Sequence, residues 1–128
     1  MKEDRNQKKG KKGFLRIINA FLYSKEGLMA AWIDESAFRQ VLTLGLICII
    51  VAFFIGSSWT DRVLLILPCM ISILIELINS AIENAIDFTG LEFHPFAKKA
   101  KDMGSAAQFV ALIFWIGVWG SFLWSEYL

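Results

Sequence analysis

The run Glu76-Leu77-Ile78-Asn79-Ser80-Ala81-Ile82-Glu83-Asn84-Ala85-Ile86-Asp87 sets acid, amide and hydroxyl groups into an apolar segment that starts at Val63. At about 100° per residue, Ser72, Glu76, Asn79, Ser80, Glu83 and Asp87 share roughly one third of a helix circumference. The opposite arc carries Leu74, Leu77, Ile78, Ile82 and Ala85. Carboxylates within a membrane-grade helix are costly unless they face protein, water, a metal or a substrate. A polar stripe this narrow therefore reads as the wall of a site.

Glu76 and Glu83 lie two helical turns apart on one face, with Asn79 between them. Glu83 is nearer the lysine-bearing connection that follows, and Glu76 is deeper. The depth order suggests a division of labour. The shallower carboxylate suits Mg²⁺ carried with a water-soluble phosphate donor, because Mg²⁺ takes one or two carboxylates plus phosphates and waters. The deeper one suits a base that reaches the proton of a lipid hydroxyl. Glu35, where the first apolar stretch begins, is a second candidate ligand, and Lys101 and Arg16 are candidates to neutralise phosphate charge. Spacing alone leaves two other uses of the stripe open: glue between helices and the lining of an ion path. Glu35 also reads as a solvated interfacial charge, His94 as a solvated loop histidine, and the tryptophans as interface anchors.

Three apolar stretches must position these groups. They run from about Val41 to Trp59, Val63 to Ile86 and Ala106 to Trp124. Each approaches the ~20 residues that a membrane-spanning helix needs. They raise the hydrophobic share of the 128 residues to 56%, above the roughly 45–50% of soluble chains. No A-x-A site follows any of them, and the first begins too deep for a removable signal peptide, so all three are expected to remain. Pro68 falls inside the second stretch as a candidate kink.

Residues 1–12 are lysine-rich and aperiodic, and read as a disordered arm attracted to a membrane surface. Residues 13–128 then form one domain. Its first part, about 14–40, fits a surface helix: apolar positions 14, 15, 17, 18, 21 and 22 are followed by an expected break at Ser24-Lys25-Glu26-Gly27 and a second amphipathic piece, Leu28 to Gln40. Gly90 to Gly104, with Gly90, Pro95 and Gly104 as breakers, reads as the main loop and holds the single histidine. The net charge of +1 hides an asymmetry, since lysines and arginines crowd the start and Lys98, Lys99 and Lys101 sit between the second and third stretches. Positive-inside counting places the N-terminus and that connection in the cytoplasm, and the C-terminus outside. Cys48 and Cys69 lie within apolar stretches and read as small hydrophobic filling. The chain lacks G-x-x-x-x-G-K-[ST], H-R-D, D-F-G and H-E-x-x-H, and one histidine argues no Ser-His-Asp set. Nothing beyond the basic arm suits nucleic acid.

These residues resemble the prokaryotic diacylglycerol kinase family, small three-span integral membrane kinases. The stretch Glu76-x-Ile-Asn79-Ser80-Ala81-Ile82-Glu83-x-x-Ile86-Asp87 follows the family pattern E-x-[LIVM]-N-[ST]-[SA]-[LIV]-E-x-x-V-D, with Ile86 in place of Val. Two further blocks match: Gly27-Leu28 with Ala30-Ala31-Trp32-Ile33 and Glu35 through Ala37-Phe38-Arg39-Gln40, and Ala100-Lys101-Asp102-Met103-Gly104-Ser105-Ala106-Ala107. The resemblance covers about Gly13 to the C-terminus. It implies an all-α membrane protein with an N-terminal amphipathic surface helix and three transmembrane helices. It also implies ATP-dependent phosphorylation of a lipid alcohol with Mg²⁺, by a homotrimer whose active sites are shared between neighbouring subunits in the bacterial inner membrane.

By motif position, the resemblance makes Glu76 the proton-accepting carboxylate and Glu35 and Glu83 the metal ligands. Arg16, Tyr23, Glu35, Glu83, Glu92, His94, Lys101 and Asp102 would surround the nucleotide. Arg16, Trp32, Phe38, Arg62, Glu76, Asn79, Ser105, Trp119 and Trp124 would lie near the lipid substrate. The chain departs from the pattern at Val41, where well-known members carry Glu, and in the Phe93-His94-Pro95-Phe96 loop. Both departures bear on substrate contacts. Relatives of the same fold phosphorylate undecaprenol, but the Trp32 and Phe38-Arg39-Gln40 block is more similar to the diacylglycerol branch. A polyprenol kinase is the nearest alternative, and a small ion or proton transporter the alternative from another class.

Overall fold

The computed structural model describes residues 13–90 and 92–128 and is all-α. Four helices follow one another: α1 (Phe14–Asp34), α2 (Ser36–Ile55), α3 (Trp59–Thr89) and α4 (Pro95–Tyr127). The last three are each long and apolar enough to cross a membrane. The basic arm expected at residues 1–12 lies outside the described residues. The chain divides into two compact units, one closing at Glu35 and the other comprising Ser36–Leu128.

In the first unit, α1 runs without interruption through Ser24-Lys25-Glu26-Gly27, where the sequence suggested a break. Ser24 Oγ donates to Ala20 O at 2.9 Å, so its hydroxyl is absorbed within the helix instead of competing with it. The helix stops at Glu35, whose backbone is extended and whose N–H still donates to Ala31 O at 3.0 Å. Residues 36–40, expected to end the surface segment, belong instead to the first apolar helix.

In the second unit, α3 is the central helix and packs against both α2 and α4. A capping box fixes its start. Asp61 N–H donates to Ser58 Oγ at 3.1 Å, and Ser58 N–H donates to Asp61 Oδ2 at 3.0 Å. Ser57 Oγ donates to the same carboxylate, and these bonds hold Asp61 below the usual carboxylate range. The helix continues through Pro68 to Thr89. Gly90, with φ of +139°, then makes the turn, a conformation L side chains rarely adopt.

The long loop expected over Gly90 to Gly104 is short. Helix α4 begins at Pro95, with His94 as its N-cap: His94 Nδ1 accepts from Phe96 N–H at 3.2 Å. Proline is a breaker inside a helix but a favoured residue in its first turn, and here it serves the second role. Gly104 is internal to α4 and buried, because a Cβ there would collide with Asn79 Oδ1. At Gly45 of α2 all three helices of the unit converge, since a Cβ would lie 2.8 Å from Ile73 Cδ1 and 3.7 Å from the Trp115 ring.

Candidate functional site

The polar stripe of α3 is turned inward, as its spacing predicts. Ser72 is fully buried, Glu76 is 5% exposed and Ser80 and Asn79 are likewise buried. Leu74 and Ile78 of the opposite arc are exposed. The soluble rule is inverted: the apolar arc faces outward, where lipid would lie, and the carboxylate faces protein. Burial relaxes along the helix, from Glu76 through half-buried Glu83 to exposed Asp87.

Four ties hold α4 antiparallel to this stripe. Trp119 Nε1 donates to Leu65 O at 2.9 Å, one turn from Pro68. Gln108 Nε2 donates to Ser72 Oγ at 2.9 Å. Gly104 lets Asn79 Oδ1 approach the α4 backbone. Lys101 Nζ donates to Asp87 Oδ1 at 2.6 Å. The Trp119 and Gln108 bonds each contribute about 0.6–2 kcal/mol in a membrane. More importantly, the four fix which residues of α4 stand beside Glu76.

At the connection end of the α3–α4 pair, a cavity of about 270 Å³ is lined by Asp87, Glu92, His94, Lys98, Lys101 and Asp102, among others. It gathers Glu92, His94, Lys101 and Asp102, four of the residues the resemblance assigns to a nucleotide. Lys98 pairs with Asp102 at 2.5 Å and Lys101 with Asp87 at 2.6 Å. The Asp87 bond holds the Lys101 ammonium above its ordinary range, and Glu83 adds to the effect through its charge. Exposed pairs of this type contribute little to stability, so both lysines can turn to another anion at little cost. His94 and Phe96 stack loosely at this end, with ring centroids 5.7 Å apart.

The remaining candidates are spread more widely. Arg16 and Trp32 are exposed on α1, Tyr23 is half-buried there, and half-buried Glu35 ends that unit. Phe38, expected beside lipid substrate, is buried. Arg62 is half-buried beside Gly56, and Ser105 is exposed on α4. Trp124 is 70% exposed, as an interface anchor would be, whereas Trp119 is half-buried and bonded inward. The two cysteines are free, and Cys69 is fully buried, consistent with filling. Among the described residues no three His, Cys, Asp or Glu side chains gather as a metal cage. Glu83, an oxygen donor near the charged cavity, fits the sparse ligation typical of Mg²⁺ bound with phosphates.

The sequence assigned no individual role to Asp87, Lys98, Ser72 or Gln108. Ser72 and Asp87 belonged to the stripe and Lys98 to the basic connection, so these three carried a signal. Gln108 stood out only as a polar residue in an apolar stretch.

Residues 22–123 match the family model described as prokaryotic diacylglycerol kinase. The chain is 57% identical over 117 residues to a diacylglycerol kinase of Helicobacter pylori strain 26695, covering 91% of each chain. It is 48% identical over 115 residues to one from Pseudomonas aeruginosa and 44% identical over 115 residues to one from Escherichia coli K12, in each case covering 90% of this chain and 94% of the relative.

Proposed function

The chain belongs to the prokaryotic diacylglycerol kinase family, and we propose that it transfers the γ-phosphoryl group of ATP to the free hydroxyl of diacylglycerol, giving phosphatidic acid and ADP. The observation that carries this reading is the layout of α3: a carboxylate buried among apolar helices at Glu76, and a charged cavity at the connection end of the same face. Glu76 and Glu83 are about 10 Å apart along the helix axis, a separation a triphosphate chain can bridge. A lipid alcohol reaches the buried end from the bilayer, and a nucleotide reaches the open end from water.

Glu76 is the general base. It takes the hydroxyl proton as the alcohol oxygen bonds to the γ-phosphorus and the bond to the ADP oxygen breaks. Asn79, one turn nearer the cavity, orients the alcohol. Lys101, held beside α3 by Asp87, draws the polyphosphate towards α3. Glu92, His94 and Asp102 line the nucleotide end, and the resemblance assigns Arg16 and Tyr23 to the same ligand. Phosphoryl transfer needs positioning and charge stabilisation above all. Glu83 and Glu35 would hold Mg²⁺, which supplies further neutralisation of phosphate charge. Trp32, Phe38, Arg62, Ser105, Trp119 and Trp124 complete the lipid side. The protein works in the bacterial inner membrane with its N-terminus in the cytoplasm, as a homotrimer that shares active sites between subunits.

The deciding assay uses purified protein in mixed micelles with γ-labelled ATP, offering diacylglycerol and undecaprenol separately. Label is expected in phosphatidic acid. Label on undecaprenol alone would move the chain to the polyprenol branch, and label on neither lipid would end the kinase reading.

A further inference from the structure

The reaction as described uses Lys101 and leaves Lys98 without a task. Lys98 lines the same cavity at the connection end of α3 and α4. Its ammonium pairs with Asp102 Oδ2 at 2.5 Å, and both side chains are exposed. That pair does little for α4. Lys98 stands in the opening turn of the helix, where the macrodipole disfavours a cation. It also precedes its acid by four residues, the weaker of the two orders for such a pair. A cation set against the helix field, at a cavity wall and tied to an exposed acid, is arranged to serve an anion that arrives from outside. Lys99 beside it is exposed too, but does not line the cavity.

We propose that Lys98 is a specificity residue for the nucleotide: it leaves Asp102 and binds the α- and β-phosphates, the part that ATP and ADP share. The inference rests on the proposed kinase reaction, with the γ-phosphoryl group directed at Glu76. Because α4 runs antiparallel to α3, Lys98 lies about 4.5 Å along the axis nearer to water than Lys101. The γ-phosphate then falls on the Lys101 side, and the two phosphates behind it come level with Lys98. A contact to groups that the reaction leaves unchanged lowers KM without raising kcat. It also holds product as firmly as substrate. Lys98 therefore sets how strongly ADP competes with ATP.

The test measures kcat, KM for MgATP and the competitive inhibition constant of ADP, in mixed micelles with saturating 1,2-dioleoylglycerol. It compares the wild-type, Lys98→Ala, Lys98→Arg and Lys99→Ala chains at one low ionic strength. In Lys98→Ala, KM and the ADP constant are expected to rise together by about fivefold, the upper end for one exposed charge contact, with kcat unchanged. Lys98→Arg keeps the charge and is expected to recover most of that loss. Lys99→Ala makes the same change of charge away from the cavity wall and is expected to move neither constant. Unchanged constants in Lys98→Ala overturn the inference and leave the lysine as a partner of Asp102 alone. A rise in KM without a rise in the ADP constant overturns it as well, because the contact is then to the γ-phosphate. Equal shifts in Lys99→Ala overturn it in favour of a general surface field. A wild-type chain that transfers no phosphoryl group to lipid overturns the kinase reading itself, and that is seen before any variant is compared.

Discussion

At the scale of single residues, the proposed reaction assigns the proton to one buried carboxylate, Glu76. Glu76→Gln keeps size and shape and removes the proton acceptor. Loss of a general base costs about 10²–10⁴-fold in rate. Phosphatidic acid formation in mixed micelles is expected to drop by that factor while helical circular dichroism is retained; near-normal turnover by the folded variant would remove the role given to Glu76. Glu83 should behave differently, because it is half-buried near the charged cavity and not in the enclosed part of the stripe. On the proposed assignment, Glu83→Gln and Glu35→Gln would each delete one anionic oxygen ligand, and Mg²⁺ tolerates few substitutes. Activity against free Mg²⁺ is expected to shift to higher concentration in both. Titrations that overlay the wild type would leave these carboxylates as ordinary interfacial charges.

At the scale of helices, three glycines decide how closely the elements approach, and they should not be equally sensitive. A Cβ at Gly56 would lie 2.9 Å from Ala52 O and 3.1 Å from Arg62 N, both backbone atoms that cannot step aside. At Gly45 it would meet the tip of Ile73, which can rotate. At Gly104 it would strike Asn79 Oδ1, pushing a residue of the site. Overpacking costs typically about 1–3 kcal/mol. Thermal unfolding in detergent is therefore expected to rank Gly56→Ala as the most destabilised and Gly45→Ala as the least, with Gly104→Ala losing more activity than its stability explains. Equal midpoints and equal activities would show that these contacts do not set the packing. The same residues explain what the sequence could convey. The apolar stretches and the inward stripe follow from hydropathy and from 3.6-residue periodicity, which are local properties, so the three long helices and the burial of Glu76 were legible. Gly104 and Pro95 were misread as loop breakers because their roles, a close helix approach and a first-turn proline, exist only once α4 faces α3. Ser24 to Gly27 were misread because polar and small residues also fit within an exposed helix. Of the cavity residues, Asp87 was legible through spacing and Lys101 through charge, whereas Glu92, His94 and Asp102 were legible only through the resemblance. The Ser72–Gln108 bond joins positions 36 residues apart, and no local pattern announces such a pair.

At the scale of the whole molecule, the proposed orientation rests on charge, and the proposed shared site rests on the roles given to Glu76 and Glu35. Lysines at the start and between α3 and α4 predict that both lie on the cytoplasmic side. A cysteine placed at position 99 is expected to react with an impermeant reagent only in opened cells, and one at position 127 in intact cells; labelling of position 99 in intact cells would overturn the orientation. Assembly is tested by complementation. Glu76 lies on α3, within the unit Ser36–Leu128, whereas Glu35 closes the preceding unit. If each active site takes its base from one chain and its second metal ligand from a neighbour, a trimer that mixes Glu76→Gln and Glu35→Gln subunits contains some sites in which both carboxylates are intact. Each variant alone has none. Co-refolding the two is therefore expected to restore a measurable fraction of phosphatidic acid formation, with the yield following the mixing ratio and peaking near equal amounts. Mixed oligomers demonstrated by differential tagging but lacking activity would mean that both carboxylates come from the same chain, because then every site in the mixture carries one lesion or the other. The kinase reading would survive that outcome, and the shared site would not.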